Sequence, residues 1–292
     1  MFQKGYEYEQ KNGSRFRRDK ISQISTHDGS LVPKDDPIIH APANIQELSQ
    51  YRFVTSVILW LDIASSVTSG NRPHLMHCHD DFLACDSQIA LDSVMGCRNW
   101  VLLQIGRIAR LHSDITQALK DSEFDCTVFK QFAEDIEMDI QHGVIREAFC
   151  GLSILDHEFS IPITITSDPT RHITYLFACM ATIYLHLVIQ GFENLDVIEP
   201  QLSAAMRVLQ SLSPTHLLPS LVLPLFIIGS VAREGDKQFF RSVFSSPQIL
   251  DSSFRHRETF LSNLEEIWER RRPPLLFVWK NCLDSIGDLL LI

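Results

Sequence analysis

The chain has 292 residues, of which 45% are hydrophobic and 21% charged, the proportions of a folded globular protein and not of a disordered or fibrous one. Lys and Arg number 26 against 36 Asp and Glu, and the resulting formal charge of −10 is the wrong sign for a surface that grips nucleic acid phosphates directly. Small polyanions stay open, because carboxylates can hold a diphosphate through divalent metal.

Residues 1 to about 40 are polar, contain GS, DGS and two prolines, and follow neither helical nor strand periodicity, so they read as a flexible leader. The run RFRRDK within it has the composition of a nuclear import signal and equally of a solvated tail. No apolar stretch of seven or more residues opens the chain, so no secretory signal is expected and the reading is cytoplasmic. From Asn44 to Gly70 the apolar spacing is helical, with Asn44 placed to cap and Gly70 to terminate. Only Glu47, Arg52 and Asp62 are charged there, which marks a central helix covered by neighbours.

An acidic segment follows Pro73, and the next helix is read from DSVMGCRNWVLLQIGRIARL. FDCTVFKQFAEDIEMDIQH turns its acids outward, and Asp168-Pro169 supplies a cap and a first-turn proline for PTRHITYLFACMATIYLHLVIQG. ENLDVIEPQLSAAMRVLQSL, HLLPSLVLPLFIIGSVAREG, DKQFFRSVF, SFRHRETFLSNLEEIWERR and PLLFVWKNCLDSIGDLLLI complete the helical set, and only the brief SIPITIT alternates like a strand. The uncharged stretch between Arg207 and Arg233 is broken by Pro214, Pro219 and Pro224, so it reads as buried helix and no membrane span is expected. The fold class is all-α: a leader over 1–40, then one globular helical domain over 41–292 with about nine to eleven helices.

Taken in order, LWLDIASSVTSGNRPHL, VMGCRNWVLLQIGRIARL, ATIYLHLVIQG, LPLFIIGSVAREGDKQFFRSVF, LEEIWERR and the terminal LLLI resemble the fungal-specific transcription factor domain, the helical regulatory half of zinc-cluster activators of the second such family. The resemblance covers roughly residues 44 to 292. Such activators read DNA through six cysteines in paired CxxC spacing. Here the seven cysteines stand at 78, 85, 97, 126, 150, 179 and 282, no two of them in that spacing. The chain therefore reads as either a regulator without its zinc cluster or a relative of the fold with another task. For the second option the sequence resembles the non-canonical humulene synthases of fungal tropolone sesquiterpenoid pathways, helical and magnesium-dependent. That resemblance implies farnesyl diphosphate as substrate, a magnesium pair, an essential lysine and a nearby apolar residue that shapes the product.

The residues offered for those roles follow from chemistry and position. HLMHCHDDFLACD packs His74, His77, His79, Asp80, Asp81 and Asp86 into thirteen residues, and ionising an allylic diphosphate needs carboxylates converging on magnesium. Asp81 and Asp86, with Asp80 assisting, are the expected Mg2+ ligands. On a regular helix Asp81 and Asp86 would stand ~140° apart, so a shared cluster requires an unwound turn. The competing reading is a solvated loop with an aspartate as helix cap. His77, His79 and Asp81 also imitate a binuclear hydrolase motif, but Phe82 stands where a histidine is needed. The second acidic set, Glu134, Asp135, Glu137 and Asp139, reads mainly as an exposed helix face.

Lys280, in an apolar helix, is the expected diphosphate ligand, with Lys237 as the other candidate, and Leu276 one turn earlier is the apolar wall. Trp60, Phe82 and Phe177 are offered as cation-stabilising walls of a prenyl cavity, although aromatic residues on helices are commonly core. Asp62 on its apolar helix requires a partner, an arginine such as Arg107 or Arg171, or a metal. The leading expectation is a Mg2+-dependent sesquiterpene cyclase, a lyase that converts farnesyl diphosphate to a humulene-type hydrocarbon. The alternative is a non-catalytic regulatory domain that senses a ligand or dimerises.

Overall fold

Helical periodicity dominates because the apolar residues recur every three or four positions, and each such stripe must be buried against another. The computed structural model describes residues 45–84, 87–121, 126–149, 169–211, 220–250, 257–271 and 279–286, all within the unit Asn44–Ile292. Among the described residues there are eleven α-helices, short 3-10 turns and no strand. The architecture is all-α. The leader and SIPITIT lie outside the described residues.

In chain order the helices are α1 (Ile45–Ser69), α2 (Met76–Phe82), α3 (Asp92–Met95), α4 (Asn99–Asp121), α5 (Cys126–Phe149) and α6 (Pro169–Gln190). A 3-10 turn (Leu195–Ile198) leads to α7 (Glu199–Ser211), α8 (Val222–Ser230), α9 (Lys237–Phe244), α10 (Phe260–Arg270) and α11 (Trp279–Ile286). Gly70 ends α1 in the left-handed region at φ 68°, its N–H donating to the Ser66 carbonyl at 3.0 Å.

α6 is buried on nearly every side from Ile173 to Leu187, and α4, α5, α7 and α8 pack around it. It is long and apolar enough to cross a membrane by length and composition, but 72% of that span is buried in this protein. Two of its polar members find partners: the His186 imidazole bonds the Glu193 carbonyl at 2.7 Å, and the Thr174 hydroxyl accepts the Arg98 N–H at 3.2 Å.

The sequence reading of one helix over 92–111 is corrected. Gly96, at φ 68°, closes α3 after one turn, and Asn99 starts α4 while bracing the loop, its side chain accepting from Leu91 N–H at 2.9 Å and donating to the Ile89 carbonyl at 2.6 Å. α4 then meets α5 closely: a Cβ on Gly143 would stand 2.2 Å from the Trp100 ring, so only glycine admits the indole there. At the opposite end of the core, α10 covers the C-terminus of α8. Trp268 Nε1–H donates to the Gly229 carbonyl at 2.8 Å, and the Arg271 guanidinium to the carbonyls of Ser230 and Ala232.

Candidate functional site

The segment richest in metal-type side chains is organised by Asp62. This carboxylate lies inside, on the face of α1 that meets α2, and is 8% exposed. Its Oδ1 accepts the His74 N–H at 2.8 Å and its Oδ2 the Leu75 N–H at 3.0 Å. His79 Nε2 stands 3.1 Å from the same Oδ2, and with the proton on Nε2 the imidazole donates to it. Asp62 thus supplies from another helix the acceptors for the turn that leads into α2, where Leu75 in the cap position offers no side-chain bond. The other imidazole nitrogen rests against Gly106 of α4, where a Cβ would come within 3.0 Å of Nδ1.

The expected arginine partners of Asp62 are therefore corrected. Arg107 pairs with Asp139 and the Gln104 amide oxygen, and Arg171 donates to the Glu147 carbonyl. Burial pulls His79 below its ordinary 6.5, the hydrogen bond to Asp62 opposing that shift, so the ring is neutral at pH 7.

One helical turn separates the remaining members of this segment into different environments. His77, Asp80 and Asp81 are exposed while His79 is buried, so the imitation of a binuclear hydrolase motif does not gather its residues on one site. Asp86 and Leu276 lie outside the described residues. Among the described residues no group of three or more His, Cys, Asp or Glu is placed to hold a metal ion. Glu134, Glu137 and Asp139 face outward on α5, while Ala133, Ile136 and Ile140 on the same helix are buried.

Lys280 is exposed on α11, and its charge adds to burial in lowering the buried His112 to about 4. Lys237, the second candidate lysine, is buried, with Nζ 2.5 Å from Glu234 Oε2 and 5.3 Å above the Trp268 ring. Trp60 and Phe177 pack edge to face at 5.9 Å, each almost wholly buried, and Phe82 is half-buried against the same core. Beneath α11, the Tyr184 hydroxyl, Trp279 Nε1 and His112 Nδ1 are buried with no hydrogen-bond partner among the described residues. An open cleft of ≈250 Å³ borders α4 and α5, with Trp100 and Arg146 on one wall and Arg98 bound to Glu147 at 2.9 Å on another.

In this arrangement Asp62 and His79 brace one helix against another, and among the described residues no metal-type cluster forms. The chain belongs to the Fungal specific transcription factor domain family, whose profile matches residues 22–292. It is 37% identical over 274 residues to the Pestheic acid cluster transcriptional regulator 3 of Pestalotiopsis fici, covering 91% of this chain and 48% of that protein. It is 26% identical over 253 residues to the Transcription factor dibT of Pestalotiopsis microspora, covering 78% and 38%. Against the Trichothecene biosynthesis transcription regulator TRI10 of Fusarium sporotrichioides it is 26% identical over 250 residues, covering 84% and 55%. The chain spans about half the length of these curated relatives. No solved structure matches.

These relatives overturn the cyclase expectation. They are named as transcription factors or transcriptional regulators, and nothing among them points to a humulene synthase, a lyase or a farnesyl diphosphate-binding protein. The resemblance to the transcription factor family stands, and the finer one to humulene synthases does not. What sequence reasoning missed was the role of His79. A signal was present: a carboxylate on an apolar helix eight residues before a chain-reversing glycine has the returning loop as its nearest source of donors.

Proposed function

We propose that this chain is the helical regulatory part of a transcription regulator controlling a fungal biosynthetic gene cluster, acting in the nucleus without catalysis. The observation that carries this reading is the 37% identity to the Pestheic acid cluster regulator along 91% of the chain. The geometry agrees with it, since the His and Asp residues brought together in the core brace one helix against another. The formal charge of −10 fits a module that leaves DNA contact to other sequence, and the basic run RFRRDK offers an import receptor its charges.

The test is deletion of the coding gene followed by transcript profiling, together with fusion of the chain to a heterologous DNA-binding domain upstream of a reporter. The expected result is a coordinated change of at least several-fold in a contiguous set of biosynthetic genes, and a reporter output that differs from the DNA-binding domain alone. Unaltered transcripts and an unaltered reporter would overturn the reading.

A further inference from the structure

We infer that the cleft where α4 meets α5 binds a small organic carboxylate, a monoanion with an apolar body of about ten to fifteen non-hydrogen atoms. The loop after α2 contributes Ile89 and Ala90 to its walls, the start of α4 Arg98 and Trp100, and the last turn of α5 Arg146 and Glu147. These walls are fixed from behind. Asn99 bonds both Leu91 N–H and the Ile89 carbonyl, the Ser87 hydroxyl accepts the Ile89 N–H at 3.1 Å, and Ile89 and Leu91 are themselves buried. A preformed cleft spares a ligand the cost of ordering it.

The observation that points to an anion is a pair of guanidiniums with unused donors. Arg98 Nε lies 2.9 Å from Glu147 Oε1 without being aligned on it as a hydrogen bond, and Arg98 Nη1 stands 3.8 Å from Asp92 Oδ2, beyond hydrogen-bond reach. Glu147 Oε1 instead accepts Trp100 Nε1–H at 3.2 Å. Arg146 contacts only the face of Trp100, its Cζ 6.0 Å from the ring centroid, and forms no ion pair among the described residues. Elsewhere on the surface Arg72 and Arg241 donate to carboxylates at 2.6 and 3.0 Å. The carbonyl end of α5 accounts for one cation at this place, and not for a second on the neighbouring wall. A guanidinium presents a planar fork of donors that matches a carboxylate in bidentate fashion.

The remaining lining narrows the ligand further. Asp92 and Glu147 share the cleft with Arg98 and Arg146, so its fixed charges cancel. A single negative charge is held by the unused donors, whereas phosphate brings additional charge toward two carboxylates. A cation finds Glu147 already engaged by Trp100 and Arg98. Ile89, Ala90 and the indole edge supply the apolar contact, and a volume of ≈250 Å³ admits one or two fused rings or a short chain. A ligand of that size reaches a dissociation constant of about 0.1–1 mM. Carboxylate binding here is independent of the regulatory role proposed above, so failure of one leaves the other standing.

Titration of the full nitrogen-labelled chain with benzoate, naphthoate and octanoate, followed by magnetic resonance at the indole N–H signals of its 4 tryptophans, tests the site. The Trp100 signal is identified by its loss in Trp100→Phe. At least one acid should shift it to saturation at about 0.1–1 mM while the signals of Trp60, Trp268 and Trp279 stay in place. Naphthamide and inorganic phosphate should bind about tenfold more weakly or not at all, a comparison that needs no variant. Arg146→Gln, at an exposed position, should weaken binding about fivefold or more with an unchanged far-UV spectrum, and Arg72→Gln, which removes a surface pair with Asp114, should leave it as it was. No saturating shift of Trp100 with any of the acids up to about 10 mM overturns the inference. So does an amide or phosphate that binds as well as the acids, or an Arg146→Gln chain that binds like the parent.

Discussion

Asp62 decides more at the scale of single residues than the denser acidic run that follows it. Three donors converge on its carboxylate from a loop and a helix twelve to seventeen residues away, and without it the His79 ring would be left buried and unsatisfied and two part-buried N–H groups would lose their acceptor. Asp62→Ala is expected to destabilise the fold by about 2–4 kcal/mol in urea titration, whereas Asp81→Ala, at an exposed position one turn from His77, should change stability by less than about 0.5 kcal/mol. Acid sensitivity follows from the two buried imidazoles. His79 is lowered by burial, and His112 to about 4 by burial with the Lys280 charge adding to it, so below the ordinary 6.5 the unfolded chain binds protons that the folded chain refuses. Their contribution is complete above about pH 6.5 and is lost as the pH falls toward 4, His112 alone accounting for on the order of 3 kcal/mol. Melting temperatures from pH 8 to 4.5 should decline below 6.5, and a profile flat to 4.5 would contradict the placement of both rings.

Helices here are limited by glycine as much as by hydrophobic pattern. Gly96 splits the apparent helix 92–111 because the left-handed conformation lets the chain turn, and its missing Cβ leaves room for Ile173, which would otherwise lie 2.8 Å away. Gly143 has ordinary helical geometry and a different task, that of receiving the face of Trp100. Replacing a helix-interior glycine with alanine normally stabilises by up to about 1 kcal/mol. Gly143→Ala should reverse that sign, costing about 1–3 kcal/mol by overpacking, as read from chemical denaturation. Trp100 fluorescence should shift with it if α4 and α5 are forced apart.

The molecule as a whole is organised around α6, and its buried residues join one cluster that includes Trp60, Trp100, Trp268 and Trp279 from four different helices. Unfolding followed by tryptophan emission and by far-UV circular dichroism should therefore trace coincident transitions, and separated midpoints would show that α10 and α11 form a layer of their own. Much of this architecture was legible in the chain: α1 and α6 follow from periodicity and from Gly70 and Pro169 at their ends. The function was legible only to the level of the family. Carboxylates and a lysine on amphipathic helices look the same in sequence whether they surround a ligand or face water, and Asp80, Asp81 and Lys280 face water. The identity to regulators of biosynthetic clusters, and not any spacing of acids, separates the two readings.

The amino-acid sequence by itself determined the helical class, the helix ends at Gly70 and Pro169, and the family, because backbone preference and apolar period are local properties written every three or four residues. Tertiary structure alone decided which polar groups meet. Asp62 finds His79 and not an arginine because Gly70 folds the chain back across α1, and Tyr51 and Ile58 stay exposed because they lie on the face of α1 turned away from buried Ser56 and Ile63.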